Sequence, residues 1–225
     1  MKWRWCVLHW IDELFDLRHS RAEAWLRKVK YPWEMLDMIG RMLQEMKLPE
    51  TEFEQIAEGV WAARDAKIAA SAGIAGPCVI GHETEVRHCA FIRGNALVGD
   101  GCVVGNSVEL KNCILFDGVQ VPHFNYVGDS ILGYKAHMGA GAVTSNVKSD
   151  KSLVVVRAMG EEILTGRKKL GAMVGDLAEI GCNSVLNPGT VIGKESVVYP
   201  VSCVRGWVPG GHIYKNQACV TARRK

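Results

Sequence analysis

Within residues 121–129, VPHFNYVGD, three polar side chains of different chemistry fall in four positions: His123, Asn125 and Tyr126. An imidazole titrates near neutrality, so His123 is suited to accept a proton from an attacking nucleophile. A lone histidine in a strand-rich chain is more often structural, so on residue type alone both roles stay open. Upstream, Arg93 and Lys111 lie 18 positions apart, and His123 follows Lys111 by 12. If 18 residues make one turn of a regular structure, the two cations stack at one corner. There they would repel by roughly 3 kcal/mol at an effective dielectric near 20. Splayed in solvent they are tolerable; a bound dianion such as phosphate explains the pair better. Downstream, MGAGAVTSN, residues 138–146, offers a glycine-rich turn with accessible backbone amides.

The elements that must position these groups are set by a six-residue repeat. Ile68, Ile74, Ile80, Val86, Ile92, Val98, Val104, Leu110 and Phe116 are apolar in strict six-residue steps, and so are Val174, Ile180, Leu186, Ile192, Val198 and Val204. Four positions after most anchors stands a small residue, such as Cys78, Thr84, Ala90, Ser184 or Thr190. A helix of 3.6 residues per turn cannot keep this period on one face. A solenoid of short strands can, with the aliphatic residue inward, the small residue at the corner, and coils stacked about 4.8 Å apart. Phe116 to Leu132 is 16 residues, two short of three units, so the rhythm is expected to fail around VPHFNYVGD. Broken regularity re-aims side chains and often marks a site.

Two segments lie outside the repeat. SRAEAWLRKVKYPWEMLDMIGRMLQEMK, residues 20–47, reads as two short helices broken near Tyr31-Pro32, with an apolar stripe including Trp33, Leu36, Ile39 and Leu43. That stripe is expected to cover the open end of the first coil rather than to bind a partner. Residues 146–171 carry two β-rich runs, Leu153–Val156 and Ile163–Thr165, about a turn at Met159-Gly160, as a hairpin arm leaving the solenoid. The basic run Arg167-Lys168-Lys169 at its end is either a solvated edge or reaches an anionic ligand, with Lys169 the candidate contact. The division expected is 1–65 helical cap, 66–145 first coils, 146–173 arm, and 174–225 last coils and tail.

The totals exclude several classes. A net charge of +3 is too mild for wholesale nucleic-acid binding. The start, MKWRWCVLHWIDELFDL, is broken by charges and is not a convincing leader, and no run reaches the ~18 apolar residues of a membrane span. A cytoplasmic protein is expected. Eight cysteines without paired spacing read as reduced thiols, mostly small packing residues, and no CxxC suggests a zinc site.

The run AFIRGNALVGDGCVVGNSVELKN…VPHFNYVGDSILGYKAHMGAGAVTSN resembles the acetyltransferase half of the bifunctional glucosamine-1-phosphate acetyltransferase / N-acetylglucosamine-1-phosphate uridyltransferase family. Arginine, VGN, ELK, PH, tyrosine, GD, GAG and asparagine align without gaps from Arg93 to Asn146. The resemblance implies a left-handed parallel β-helix of hexapeptide repeats, assembled as a homotrimer with sites between subunits. It implies acetyl-CoA as co-substrate and an amino-sugar phosphate or nucleotide sugar as acceptor. It assigns His123 as general base, Arg93, Lys111 and Tyr126 to the sugar phosphate, and Ala140 and Asn146 to the coenzyme. Three departures bear on it: His137 replaces a sugar-binding asparagine, Val147 a tyrosine beside the coenzyme, and Cys182 a coenzyme-contacting serine. His137 and Cys182 therefore stay candidates for sugar and coenzyme contact. Residues 1–65 contain no glycine-rich LxxGxGTRM-type loop for nucleotidyl transfer. The rival readings are a non-catalytic sugar-phosphate or nucleotide-sugar binder and a γ-carbonic-anhydrase-like metal enzyme. His82, His88, His123 and His137 lack the spacing of the latter's zinc triad, so no metal is expected.

Overall fold

The computed structural model describes residues 10–223. The reading of the extreme amino terminus as no leader falls largely on residues 1–9, outside the described residues. Each six-residue unit forms a short strand and a corner, and coils join by parallel ladders into a left-handed β-helix with three lateral faces. On the first face, parallel register runs Gly73, Phe91, Glu109, Tyr126, Val143, Val185, Cys203. The second face runs Cys78, Ala96, Cys113, Ser130, then Ala172 and Thr190. The third runs Lys67, Glu85, Val103, Gln120, His137, Glu179, Val197, Ile213.

Strands of two or three residues cannot hold themselves together. Their stability comes from the anchors, of which Ile80, Ile92, Val98, Val104, Leu110, Ile180, Leu186 and Ile192 are buried in one continuous core. Each such side chain contributes roughly 1.5–3 kcal/mol on burial. The small positions are buried too, and their hydroxyls close the corners. Thr84 Oγ1 donates to the Gly99 carbonyl at 2.7 Å, Ser196 Oγ to Pro209 at 2.6 Å, and Ser184 Oγ to Tyr199 at 3.1 Å.

The rhythm loses its two residues at separate corners, one before VPHFNYVGD and one at its end, rather than both between Phe116 and Leu132. Val104 pairs with Val121 and Leu110 with Val127, so the six-residue beat holds from Val121 to Val127 and fails only at the end of VPHFNYVGD. Arg93 and Lys111 remain 18 apart, but Ala96 pairs with Cys113 and Cys113 with Ser130, 17 apart. One residue is lost where Gly94-Asn95 of one coil is matched by Asn112 alone, and again at Asp129. At these one-residue corners the chain does not break its strand. Glu109–Leu115 and Tyr126–Leu132 each run seven residues from the first face onto the second. Phe116 is accordingly not an anchor: Leu115 is level with Val98. Phe116 is buried because Phe15 covers it, ring centroids 5.1 Å apart.

The amino-terminal helices lie along the solenoid rather than over its open end. Pro32–Asp37 packs on Tyr126–Leu132, and Ile39–Glu45 packs on Ala96–Val98 and Glu109–Leu115. Trp33, Met35, Leu36, Ile39 and Met42 are buried there. The preceding turns follow the corner between second and third faces, where the Asp176 amide donates to Leu14 O and the Asp117 amide to His19 O, each at 3.0 Å. At the first-coil end stands the antiparallel pair Phe53–Ala57 and Val60–Ala63. The stripe sits on the side because the seven-residue strands make that face broad and apolar.

The arm is a hairpin, Val155–Ala158 against Glu161–Leu164, with Met159 and Gly160 both at positive φ in a two-residue turn. Instead of projecting away it folds back, burying Val154, Val156 and Ala158 against strands Thr190–Ile192 and Trp207–Val208. Helices and arm together occupy the second face. Of the described cysteines all are free; Cys78, Cys102 and Cys113 pack inside, whereas Cys89, Cys182 and Cys203 are exposed. Among the described residues no helix is long and apolar enough to cross a membrane.

Candidate functional site

The shortened corner gathers polar groups because its residues stack 17 apart: Asn112, Asp129, Asn146. Asn112 and Asp129 both adopt left-handed backbone, φ 49° and 48°, which asparagine and aspartate tolerate better than most residues. Asp129 is 3% exposed and fully engaged. Asn112 Nδ2 donates to its Oδ1 at 2.9 Å, Asn146 Nδ2 donates to Oδ2, and Lys111 Nζ stands 3.4 Å from both oxygens. Asn146 Nδ2 also donates to the Tyr126 hydroxyl at 3.1 Å.

Tyr126 lies along its own strand over Gly128. A Cβ at 128 would stand 2.3 Å from the tyrosine oxygen, so the ring position requires glycine there. Burial pushes the Tyr126 hydroxyl above its ordinary pKa, and the negative charges of Asp129 and Glu109 add to that. Glu109, level with Tyr126 on the neighbouring coil, accepts from Arg93 Nη1 at 2.7 Å and holds that guanidinium above its usual value. The column of cations is therefore balanced within the chain, Arg93 by Glu109 and Lys111 by Asp129. Repulsion between Arg93 and Lys111 needs no external dianion to relieve it.

His123 occupies the opposite corner of the same face. It shares a column with Ala140 and Cys182: the Gly141 amide donates to His123 O at 3.0 Å, and the Asn183 amide to Ala140 O at 2.8 Å. Asn125, 2% exposed, ties this corner together. Its Oδ1 accepts the His123 amide at 3.1 Å, and its Nδ2 donates to Gly139 O at 2.8 Å and Ala142 O at 3.0 Å. In the turn 139–142 the amides of Gly139, Gly141 and Ala142 are bonded within the protein, whereas that of Ala140 meets no acceptor among the described residues.

Of the candidates read from sequence, Lys111, Tyr126 and Asn146 meet around Asp129, with Arg93 one coil away through Glu109. His123, Ala140 and Cys182 line the other edge. Lys169 sits at the base of the arm, where it bridges Val147 beside Asn146; its side chain is exposed. His137 stands apart on the third face, its Nδ1 2.7 Å from Glu179 Oε2 one coil on. Sequence reasoning named Asn125 as a polar residue of VPHFNYVGD without giving it a role, and gave none to Asp129, Asn112, Glu109 or Glu179. The recurrence of Asn, Asp and Asn at steps of 17 was a usable signal for Asp129 and Asn112; the others carried none.

Residues 74–165 match the family model described as the GMPPB C-terminal domain. A "Bifunctional sugar-1-phosphate nucleotidylyltransferase/acetyltransferase" of Sulfurisphaera tokodaii is 35% identical over 102 residues, 45% of this chain and 25% of that protein. A "Bifunctional protein GlmU" of Methanococcus aeolicus is 32% identical over 199 residues, 80% of this chain and 45% of that protein. The chain is a hexapeptide-repeat relative of these proteins. This hexapeptide-repeat chain spans between a fifth and about half the length of the curated relatives it matches. Among solved structures, the acetyltransferase domain of PglB from Neisseria gonorrhoeae in complex with acetyl coenzyme A is 18% identical. Its TM-score is 0.37, with 73% of this chain and 57% of that one covered. AntD, an N-acyltransferase from Bacillus cereus, is 16% identical at a TM-score of 0.36, covering 78% of this chain and 87% of that one.

Proposed function

We propose that this protein transfers an acetyl group from acetyl-CoA to the amine of a sugar phosphate or nucleotide sugar of the glucosamine-1-phosphate type. The observation that carries the reading is one lateral face edged on one side by Lys111, Tyr126 and Asn146 about Asp129, and on the other by His123 above the Ala140 turn. In this reading the acceptor's phosphate lies toward Arg93 and Lys111, with Tyr126 against the sugar. The amine attacks the thioester carbon and the new C–N bond forms; the C–S bond breaks with its electron pair on the CoA sulfur, and His123 takes the amine proton and returns it to that thiolate, which leaves as free thiol. The unengaged Ala140 amide is suited to stabilise the developing oxyanion. Gly139 and Gly141 let the next coil approach closely, a Cβ there meeting Cys182 N at 2.7 Å and Asn183 Oδ1 at 2.2 Å, which holds the Ala140 amide in place between them.

The assembly in this reading is a homotrimer with each site between subunits. The second face is taken by helices and arm, so contacts fall on the other two and their shared corner. There Phe91, Tyr199 and Val201 are exposed, and Phe124 is 62% exposed beside His123. The test is thiol release from acetyl-CoA with a panel of hexosamine phosphates and nucleotide amino sugars, alongside mass measurement in solution. Release with one acceptor class by a trimer is the expected result. Ligand binding without thiol release would make the chain a non-catalytic binder, and a stable monomer would remove the shared site.

A further inference from the structure

The column that holds Arg93 and Lys111 does not end with them. Parallel register carries the same position through Gly128, Ser145 and Asn187 to Arg205. Arg93 and Lys111 each face a carboxylate; Arg205 makes no ion pair among the described residues. It lines a cleft of about 370 Å³ together with Lys148, Arg157, Asn187 and Gln217. A second hollow of about 250 Å³, sharing Lys148, Asn187 and Arg205, continues it toward Ser145.

The three cations come from separate parts of the chain: the outgoing limb of the arm, the arm's first strand, and a corner of a late coil. Glycine lets the arm reach this corner. A Cβ at Gly189 would stand 2.8 Å from Val154 Cγ1 and 3.2 Å from Val155 O. The carboxylates nearby are exposed, and a ligand must share or displace them. Lys148 Nζ is 3.6 Å from Asp150, and Arg157 meets Glu162 in a forked pair, Nε to Oε2 at 2.8 Å and Nη2 to Oε1 at 3.2 Å; both acids are exposed, so salt and solvent screen them. The Arg205 fork, the remaining Nη1 of Arg157 and the Lys148 ammonium about one concave site match the oxygens of a phosphate. The volume suits a small nucleotide rather than a flat protein contact. Arg205 is four coil steps from Lys111, about 19 Å at strand spacing, too far for one phosphate to touch both.

We propose that the cleft of Lys148, Arg157 and Arg205 is a phosphate site separate from the Lys111 corner, and that it takes the diphosphate of a nucleotide. Coenzyme A and a nucleotide sugar are the two sources of that chemistry. The site stands on its own residues and does not depend on acyl transfer.

The experiment is titration calorimetry at low salt on the full chain with inorganic pyrophosphate, ADP, 3′,5′-ADP and UDP. Pyrophosphate is expected to bind, more weakly as salt rises. Arg157→Gln with Arg205→Gln should weaken it by about tenfold or more, the loss expected from charge-assisted bonds. Both arginines are exposed, and an unchanged melting curve checks that the double variant folds. Tighter binding of the adenine compounds than of UDP assigns the cleft to the coenzyme; the reverse assigns it to a nucleotide sugar. The proposal is overturned if no probe binds, if the double variant binds equally well, or if Lys111→Ala alone abolishes all binding. A failed acyl-transfer assay would leave the binding result intact.

Discussion

Lys111 and Asp129 face each other across one coil step, with Nζ 3.4 Å from both oxygens of a carboxylate that solvent scarcely reaches. The same carboxylate accepts from Asn112 and Asn146, so one buried charge sets the direction of three side chains at once. A ligand arriving at this corner meets a lysine and an amide already oriented, and loses less side-chain entropy on binding.

Asp129→Asn tests that arrangement. The variant keeps the shape but removes the charge and sets an amide N–H against the two asparagine amides. A stability loss of about 1–3 kcal/mol is expected, the range for losing hydrogen bonds to a charged group. Urea denaturation measures it. Affinity for a sugar phosphate should fall in the same variant because Lys111 and Asn146 lose their common reference. Unchanged stability and affinity would make the network incidental.

Asn125 is the matching element at the other corner. Asn125→Ala strands the His123 amide and the Ala142 carbonyl and takes one of two donors from the Gly139 carbonyl, which keeps the Ala142 amide. The expected cost is about 2–4 kcal/mol, since each buried group left unsatisfied costs roughly 1–3 kcal/mol and some relaxation follows. Hydrogen exchange should show the loosening concentrated in residues 138–142. Uniform loosening along the solenoid would contradict the local role.

The solenoid was legible because its inward residues obey a period that no helix shares; Ile80, Ile92 and Leu110 revealed themselves by spacing alone. One of the two lost beats was misplaced because Phe116 is apolar and stands six after Leu110, although Phe15, more than one hundred positions earlier, is what buries it. No local pattern reports a contact that distant. For the same reason the helical stripe showed its apolar face but not which face of the solenoid it would meet. At the site, His123, Tyr126 and Lys111 were visible as chemical types. Asp129 was not, since a lone aspartate after glycine reads as an ordinary turn until the 17-residue step places it between two asparagines.

The docked amino-terminal segment carries a pH dependence. Burial pushes the Asp117 carboxyl above the usual aspartate value, although it accepts the Asp100 amide at 2.9 Å, which pulls the other way. A carboxyl raised in the folded state keeps its proton longer there than in the unfolded chain. Its contribution is most favourable below the ordinary carboxylate range and is lost as pH rises through the folded value. Asp117→Asn can still accept the Asp100 amide and never ionises. The stability of the natural protein relative to this variant should therefore fall as pH rises through the carboxylate range. Denaturation curves for both proteins across that range decide the sign, and a difference growing the other way would refute it.

The two histidines near the glycine-rich turn separate by their partners. His137 Nδ1 is engaged by Glu179, so its ring is held and its other nitrogen fixed in direction on the third face. The His123 side chain makes no hydrogen bond or ion pair among the described residues, and its backbone is tied down by Asn125 and Gly141. A rigid backbone carrying an unengaged imidazole is what a proton acceptor for an incoming amine requires. His123→Asn should lower acyl transfer by about 10²–10⁴-fold, the usual contribution of a positioned base, with little change in melting temperature or sugar affinity. His137→Asn should instead release Glu179 and alter acceptor preference more than turnover. Initial rates against a panel of amino sugars separate the two outcomes. If His123→Asn keeps full activity while His137→Asn loses it, the paired histidine is the base and the roles must be exchanged.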